Sequence, residues 1–168
     1  MTCQLLKSTP MIQKSLATLS VLLALAGFAR AQDAAADQVT EGKKNYMMIC
    51  IACHQVTGAG LPPVFPPLTK SPYVNGSPER FAAIILKGNA GPFTVDGKPF
   101  NNVMPAQEAM LTDEKIAAIM TFVRANFGNT SGPVTAAVVT AARKKLTDRK
   151  TPWAQAELDA WKDDAPAK

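Results

Sequence analysis

Cys50-Ile51-Ala52-Cys53-His54 is the stretch on which the fold turns. Two thiols three positions apart, with an imidazole directly after them, match the C-x-x-C-H spacing of a haem c attachment site. Each thiol can form a thioether to one vinyl group of a single porphyrin, and the adjacent imidazole then faces the iron as its proximal axial ligand. One short segment thus predicts two covalent bonds and one coordinate bond to the same macrocycle. C-x-x-C pairs also serve zinc sites, thioredoxin-like redox pairs and plain disulfides. A structural zinc site takes four protein ligands, whereas this chain has 3 cysteines and 1 histidine, and Cys3 falls in a leader. A thioredoxin-like pair follows a strand in a βαβ pattern, but the residues before Cys50 read as helix and no parallel-strand run comes after. An oxidised Cys50–Cys53 pair is the alternative that remains.

The amino terminus gives the compartment. Lys7 and Lys14 precede an apolar run at 16–29, shorter than the roughly 20 residues needed to cross a bilayer, and Ala29-Arg30-Ala31 has the small-x-small form of a cleavage site. Residues 1–31 are read as a secretory signal peptide and Gln32 as the first mature residue. The unusual Arg30 keeps an uncleaved anchor as the alternative. Cys3 lies before the apolar run, so it is not the lipidated cysteine of a lipoprotein. Export to the periplasm suits the motif, because attachment outside the cytoplasm needs machinery that keeps both thiols reduced. The formal net charge of +5 misleads, since Lys7, Lys14 and Arg30 all fall in the leader and no acid does. The near-balanced remainder gives no warrant for nucleic-acid binding. No further segment is apolar enough to span a membrane, and residues 32–168 suit one domain whose core the cofactor partly supplies.

Along the mature chain, 33–37 reads as a polar leader and Val39 to Ile51 as a helix delivering the motif, with Gly42 and Tyr46 on one face. Thr57 to Leu68, rich in Gly and Pro, is a stiff loop. Ser77-Pro78-Glu79 starts a second helix that Gly88 stops. Thr94 to Phe100 predicts a small hairpin turning at Asp96-Gly97. Thr112 caps the clearest helix, with acids in its first turn and an apolar stripe of Ile116, Ile119, Met120, Val123 and Phe127.

The sixth iron ligand is approached by elimination. His54 is the only histidine, so two histidines from one chain cannot ligate, and methionine is the soft alternative. Met47 and Met48 are too near the attachment point to reach the other haem face, and Met120 lies on the apolar stripe. Met104, in the irregular Asn101-Asn102-Val103-Met104-Pro105, can cross to the distal side. Met110 is the reserve, and a gap-filling role under the loop is the plain alternative for Met104.

Over roughly residues 37 to 128 the chain resembles the class I cytochromes c. The resemblance rests on Gly42, Tyr46, the attachment motif, Pro66-Pro67-Leu68, Met104-Pro105 and the helix from Leu111 to Phe127. It implies an all-α fold: three to five helices around one covalently bound haem c, with a small hairpin and a C-terminal helical extension over 129–168. It sets Gly42 and Tyr46 against Phe122 or Val123. It also implies that the Pro66 carbonyl accepts the other N–H of His54, and that Leu68 packs on the haem. Gly60 to Leu68, Gly91-Pro92, Val95 to Lys98 and Asn102 to Ala106 are more specifically similar to cytochromes that serve bacterial periplasmic dehydrogenases. Similar domains are fused to copper nitrite reductases.

The implied function is a periplasmic single-electron carrier, not an enzyme, with Cys50 and Cys53 as tethers and His54 and Met104 as ligands. Its redox partners would be a dehydrogenase, reductase or oxidase. A haem enzyme or gas sensor with a displaceable sixth ligand, and a haem-free module held by a Cys50–Cys53 disulfide, are the competing readings. No Ser/His/Asp triad, paired-carboxylate motif or phosphate-binding glycine loop is present. Lys43, Lys70, Lys87 and Lys98 are candidates for a ring around the haem edge. In the extension, Thr135 to Lys145 and a stretch from Thr151-Pro152 towards Trp161 read as helices. They either wrap the haem domain and bury Trp153 and Trp161 or form a docking arm.

Overall fold

The computed structural model describes residues 35–162. The signal peptide at 1–31, its cleavage before Gln32, and Cys3 lie outside the described residues. The chain divides into two compact units, Met1–Ala36 and Asp37–Lys168, and the architecture below is that of the second. Its elements among the described residues are α1 (helical over 35–49, of which 37–49 belong to this unit), α2 (Ile51–His54), α3 (Pro72–Asn75), α4 (Pro78–Lys87), β1 (Pro92–Val95), β2 (Lys98–Asn101), α5 (Asp113–Ala125), α6 (Ala136–Lys145) and α7 (Gln155–Asp159). Four helices exceed two turns, within the expected three to five, while α2, α3 and α7 are single turns too short to carry a periodic signature.

The chain is already helical at residue 35, ahead of the expected Val39, in keeping with the high helix propensity of Ala35 and Ala36. Helix α1 crosses α5 at Gly42, where a Cβ would overlap the Ala118 carbonyl oxygen. One turn on, Tyr46 is fully buried, with its ring centroid 5.4 Å from those of both Phe122 and Phe127. Phe127 is not on the helix expected to carry it. α5 ends at Ala125, and Phe127 returns to the same aromatic cluster from a residue at φ 59°.

The capping signals act where they stand. Ser77 Oγ accepts the Arg80 N–H at 3.2 Å and Thr112 Oγ1 the Lys115 N–H at 3.4 Å, so each satisfies a donor that the first helical turn leaves free. Ser71 does the same for α3. β1 and β2 pair antiparallel with Phe93 opposite Phe100, and both rings turn inward.

The extension packs into the same apolar core as the rest of the unit. Val134, Val139, Ala142, Leu146, Trp153 and Leu158 are all buried, and Leu158 and Val139 completely so. α6 lies against α4 and α5, and α7 against β1. Gln38 Nε2 donates to the Val134 carbonyl at 2.7 Å, joining the start of the unit to the extension. α7 begins later than Thr151-Pro152 implies because Trp153 is taken up in a backbone bridge to Asn89. No helix among the described residues is long and apolar enough to cross a membrane.

Candidate functional site

Helix α2 is one turn with no buried residue, hung between α1 and the glycine- and proline-rich loop. Cys50 forms its N-cap, and Cys50 and Cys53 are both free, half-buried thiols. Gln55, at φ 62°, reverses the chain directly after His54, and its carbonyl accepts the Tyr46 hydroxyl at 2.6 Å. That bond ties the motif to the aromatic cluster. The loop returns through the Leu61–Phe65 bridge and carries the Pro66 carbonyl to 3.1 Å from His54 Nδ1. A carbonyl only accepts, so Nδ1 carries the proton and Nε2 keeps the lone pair.

Two forces act on that imidazole. Burial lowers its pKa and the Pro66 bond raises it; the net direction is down, so the ring is neutral, as coordination requires. Burial, with Cys53 close by, pushes the Cys50 thiol up to about 11.

Cys50, Cys53, His54 and Met104 line one apolar cleft of about 840 Å³, open to solvent. An adjoining lobe of about 660 Å³ shares Cys50, His54, Asn89 and Met104 with it and adds Pro67, Leu68 and Tyr73. Among the methionines of the described residues, Met104 alone lines either space. Met110 is 71% exposed, Met47 and Met48 point to solvent, and Met120 is completely buried in α5. The cleft suits a flat macrocycle: its walls are Ile85, Phe93, Phe100, Leu111 and Ile119. The chemistry reaching it is two thiols, which would bond the haem vinyl groups, and an imidazole nitrogen and a thioether, a pair that suits haem iron, whereas a structural zinc site takes four Cys, His or carboxylate ligands. Among the described residues no three His, Cys, Asp or Glu side chains gather as another metal site.

Asn89, Phe93 and Phe100 belong to the site although no motif marks them. The phenylalanines announce themselves only as the inward pair of a hairpin, and Asn89 only as the residue after the helix stop at Gly88. Lys87 departs from expectation. It is 6% exposed and pairs with Glu108 at 2.6 Å, so it is not a surface lysine; Lys43, Lys70 and Lys98 are exposed.

A protein-family model described as Cytochrome c matches residues 39–126. Cytochrome c-552 of Thermus thermophilus is 34% identical over 143 residues, covering 79% of this chain and 90% of that protein. The cytochrome c subunit of a quinone alcohol dehydrogenase from Gluconacetobacter polyoxogenes is 34% identical over 104 residues, which is 61% of this chain. The gluconate 2-dehydrogenase cytochrome c subunit of Pantoea cypripedii is 32% identical over 114 residues, 66% of this chain. The matches span 22% and 26% of those two longer subunits.

Proposed function

Because the chain belongs to the cytochrome c family, electron-transfer proteins that carry covalently bound haem c, we propose that it is a periplasmic single-electron carrier with its iron between His54 and Met104. The haem, when bound, supplies a one-electron Fe(III)/Fe(II) couple. The residues supply the rest. Cys50 and Cys53 are the thioether tethers. His54 Nε2 would ligate the iron, with its ring held in orientation by the Nδ1–H bond to the Pro66 carbonyl, and Leu68, which lines the inner lobe, would pack on the haem. The Met104 thioether would be the second iron ligand beside His54, and a metal so held would be closed to substrates, which favours electron transfer over oxygen chemistry. Donor and acceptor are then proteins. The likeness to dehydrogenase cytochrome subunits supports a path from a periplasmic dehydrogenase towards a terminal reductase or oxidase.

One observation carries this reading: among the described residues, Met104 is the methionine that lines the cleft holding both thiols and the Pro66-bonded histidine. The test is an electronic spectrum of mature protein from a maturation-competent host. Wild type should show haem c bands in both redox states and the weak far-red band of a ferric iron–thioether bond. Met104→Ala should lose that band and bind carbon monoxide rapidly when reduced. Retention of the band in the variant would remove Met104 as ligand, and rapid carbon monoxide binding by wild type would favour the displaceable-ligand sensor or enzyme.

A further inference from the structure

Asn89 is held from two sides. Towards the cleft it exchanges both backbone hydrogen bonds with Met104: its N–H donates to the Met104 carbonyl at 3.1 Å, and its carbonyl accepts the Met104 N–H at 2.8 Å. On the other side Trp153 pairs with the same segment in parallel. The Trp153 N–H donates to the Gly88 carbonyl and the Trp153 carbonyl accepts the Ala90 N–H, each at 3.0 Å. Three separate stretches of chain thus form a miniature sheet with Asn89 in the middle and Met104 at one edge. The approach is close because Gly88, at φ 69°, has no side chain; a Cβ there would overlap the Met104 carbonyl oxygen.

Trp153 is itself firmly fixed. It is 7% exposed, and its indole Nε1 donates to the Ala83 carbonyl of α4 at 2.9 Å. The Arg149 guanidinium lies 3.4 Å above its ring and is bonded through both terminal nitrogens to Glu157. The opposite edge of the miniature sheet is therefore anchored to α4 by a buried ring.

We propose that the C-terminal extension positions the sixth iron ligand: Trp153 is a positioning residue that holds Asn89, and through it the backbone of Met104, so that the thioether stays on the iron. The inference rests on Met104 being that ligand. An axial thioether competes with any small ligand that can reach the metal, and its advantage falls as the segment carrying it opens more often. Removing the indole leaves the Trp153 backbone bonds with little to fix them, and the loss passes to Met104 through two rows of hydrogen bonds.

The experiment is imidazole titration of the ferric holoprotein, read from loss of the far-red band. Trp153→Ala should bind imidazole about tenfold more tightly than wild type, the effect of loosening one or two hydrogen bonds. Trp153→Phe, which keeps an aromatic ring and the backbone bonds but loses the Nε1–H bond to the Ala83 carbonyl, should fall between wild type and Trp153→Ala. Leu158→Ala hollows the same extension without removing any group of the miniature sheet and should lower thermal stability without changing imidazole affinity. An unchanged affinity in Trp153→Ala, or equal gains in Trp153→Ala and Leu158→Ala, would overturn the proposal. If Trp153→Ala does not fold, hydrogen exchange of wild-type holoprotein decides. The Met104, Asn89, Ala90 and Trp153 amides should exchange through one shared opening, whereas free exchange at Met104 with Trp153 and Ala90 still protected would refute the coupling. Met104→Ala separates the two failures, because it leaves band and affinity untouched only if Met104 is not the ligand.

Discussion

At the residue scale, Gly42 shows how a missing atom sets an architecture. In an exposed helix, replacing glycine by alanine gains about 1 kcal/mol of helix propensity. Here the new methyl would run into the Ala118 carbonyl of α5, a backbone atom that cannot rotate away. Forcing atoms into a packed contact costs about 1–3 kcal/mol, so the clash wins and Gly42→Ala should be net destabilised in denaturant titration. A neutral or stabilised variant would show that the crossing has slack. Cys50, Cys53, His54 and Met104, the residues proposed to hold the haem, can be singled out from the chain alone because such bonding restricts residue type as well as spacing. Asn89 cannot, since its role is carried by backbone groups that every residue but proline possesses, and partners so distant in sequence leave no local mark.

Elements declare themselves to the extent that their ends are chemically distinct. α4 and α5 lie where Ser77-Pro78 and Thr112-Asp113 place their starts, because the caps satisfy N–H groups that would otherwise go unpaired. α3, a single turn, has no period to read, and Phe127 falls in register with the α5 stripe although the helix stops before it with no proline to mark the end. α6 is fastened to α5 by charge. Asp113 accepts from Arg143 Nε at 2.7 Å and Thr140 Oγ1 at 2.6 Å, while Arg143 also reaches the Glu108 and Leu111 carbonyls. Burial is the largest single influence on Asp113 and would raise its pKa, but the bonds from Thr140 and Arg143 together outweigh it and hold the carboxyl below its ordinary value. A carboxylate depressed in the folded state stabilises the fold above its unfolded pKa, about 3.9, and that contribution is lost as pH falls through the lower folded value. Asp113→Asn should therefore cost about 1–2 kcal/mol at pH 7, measured by thermal unfolding, and the gap to wild type should close as pH falls through the carboxyl's lowered folded-state value. A gap unchanged in acid would mean the pair adds nothing.

For the whole molecule, charge and apolar surface decide how copies meet. Lys87 is withdrawn into its pair with Glu108, while Val64 and Val103, which line the mouth of the cleft, are 41% and 59% exposed. With near-balanced charge over residues 32–168 and an apolar rim, electron self-exchange between two copies of that part of the chain, followed by NMR line broadening, should change less than about threefold between about 10 and 200 mM ionic strength. A steep rise with salt would mean that like-charged faces oppose each other on contact. The extension is the part least legible from sequence. Its helices and tryptophans can be found, but two outcomes, wrapping or reaching out, are compatible with them, because only the shape of the surface left by α4 and α5 determines that Val139, Trp153 and Leu158 have somewhere to be buried.

Leu158 being wholly enclosed also governs timing. A nascent polypeptide cannot close this interior while Trp153 and Leu158 are still inside the ribosome, since contacts spanning most of the unit must wait for their later member. The thiols of Cys50 and Cys53 emerge long before that moment, on a single turn none of whose residues is fully buried. On the proposed reading of these thiols as tethers, haem attachment can act on an unfinished strand, and Trp153 and Leu158, arriving afterwards, seal the product.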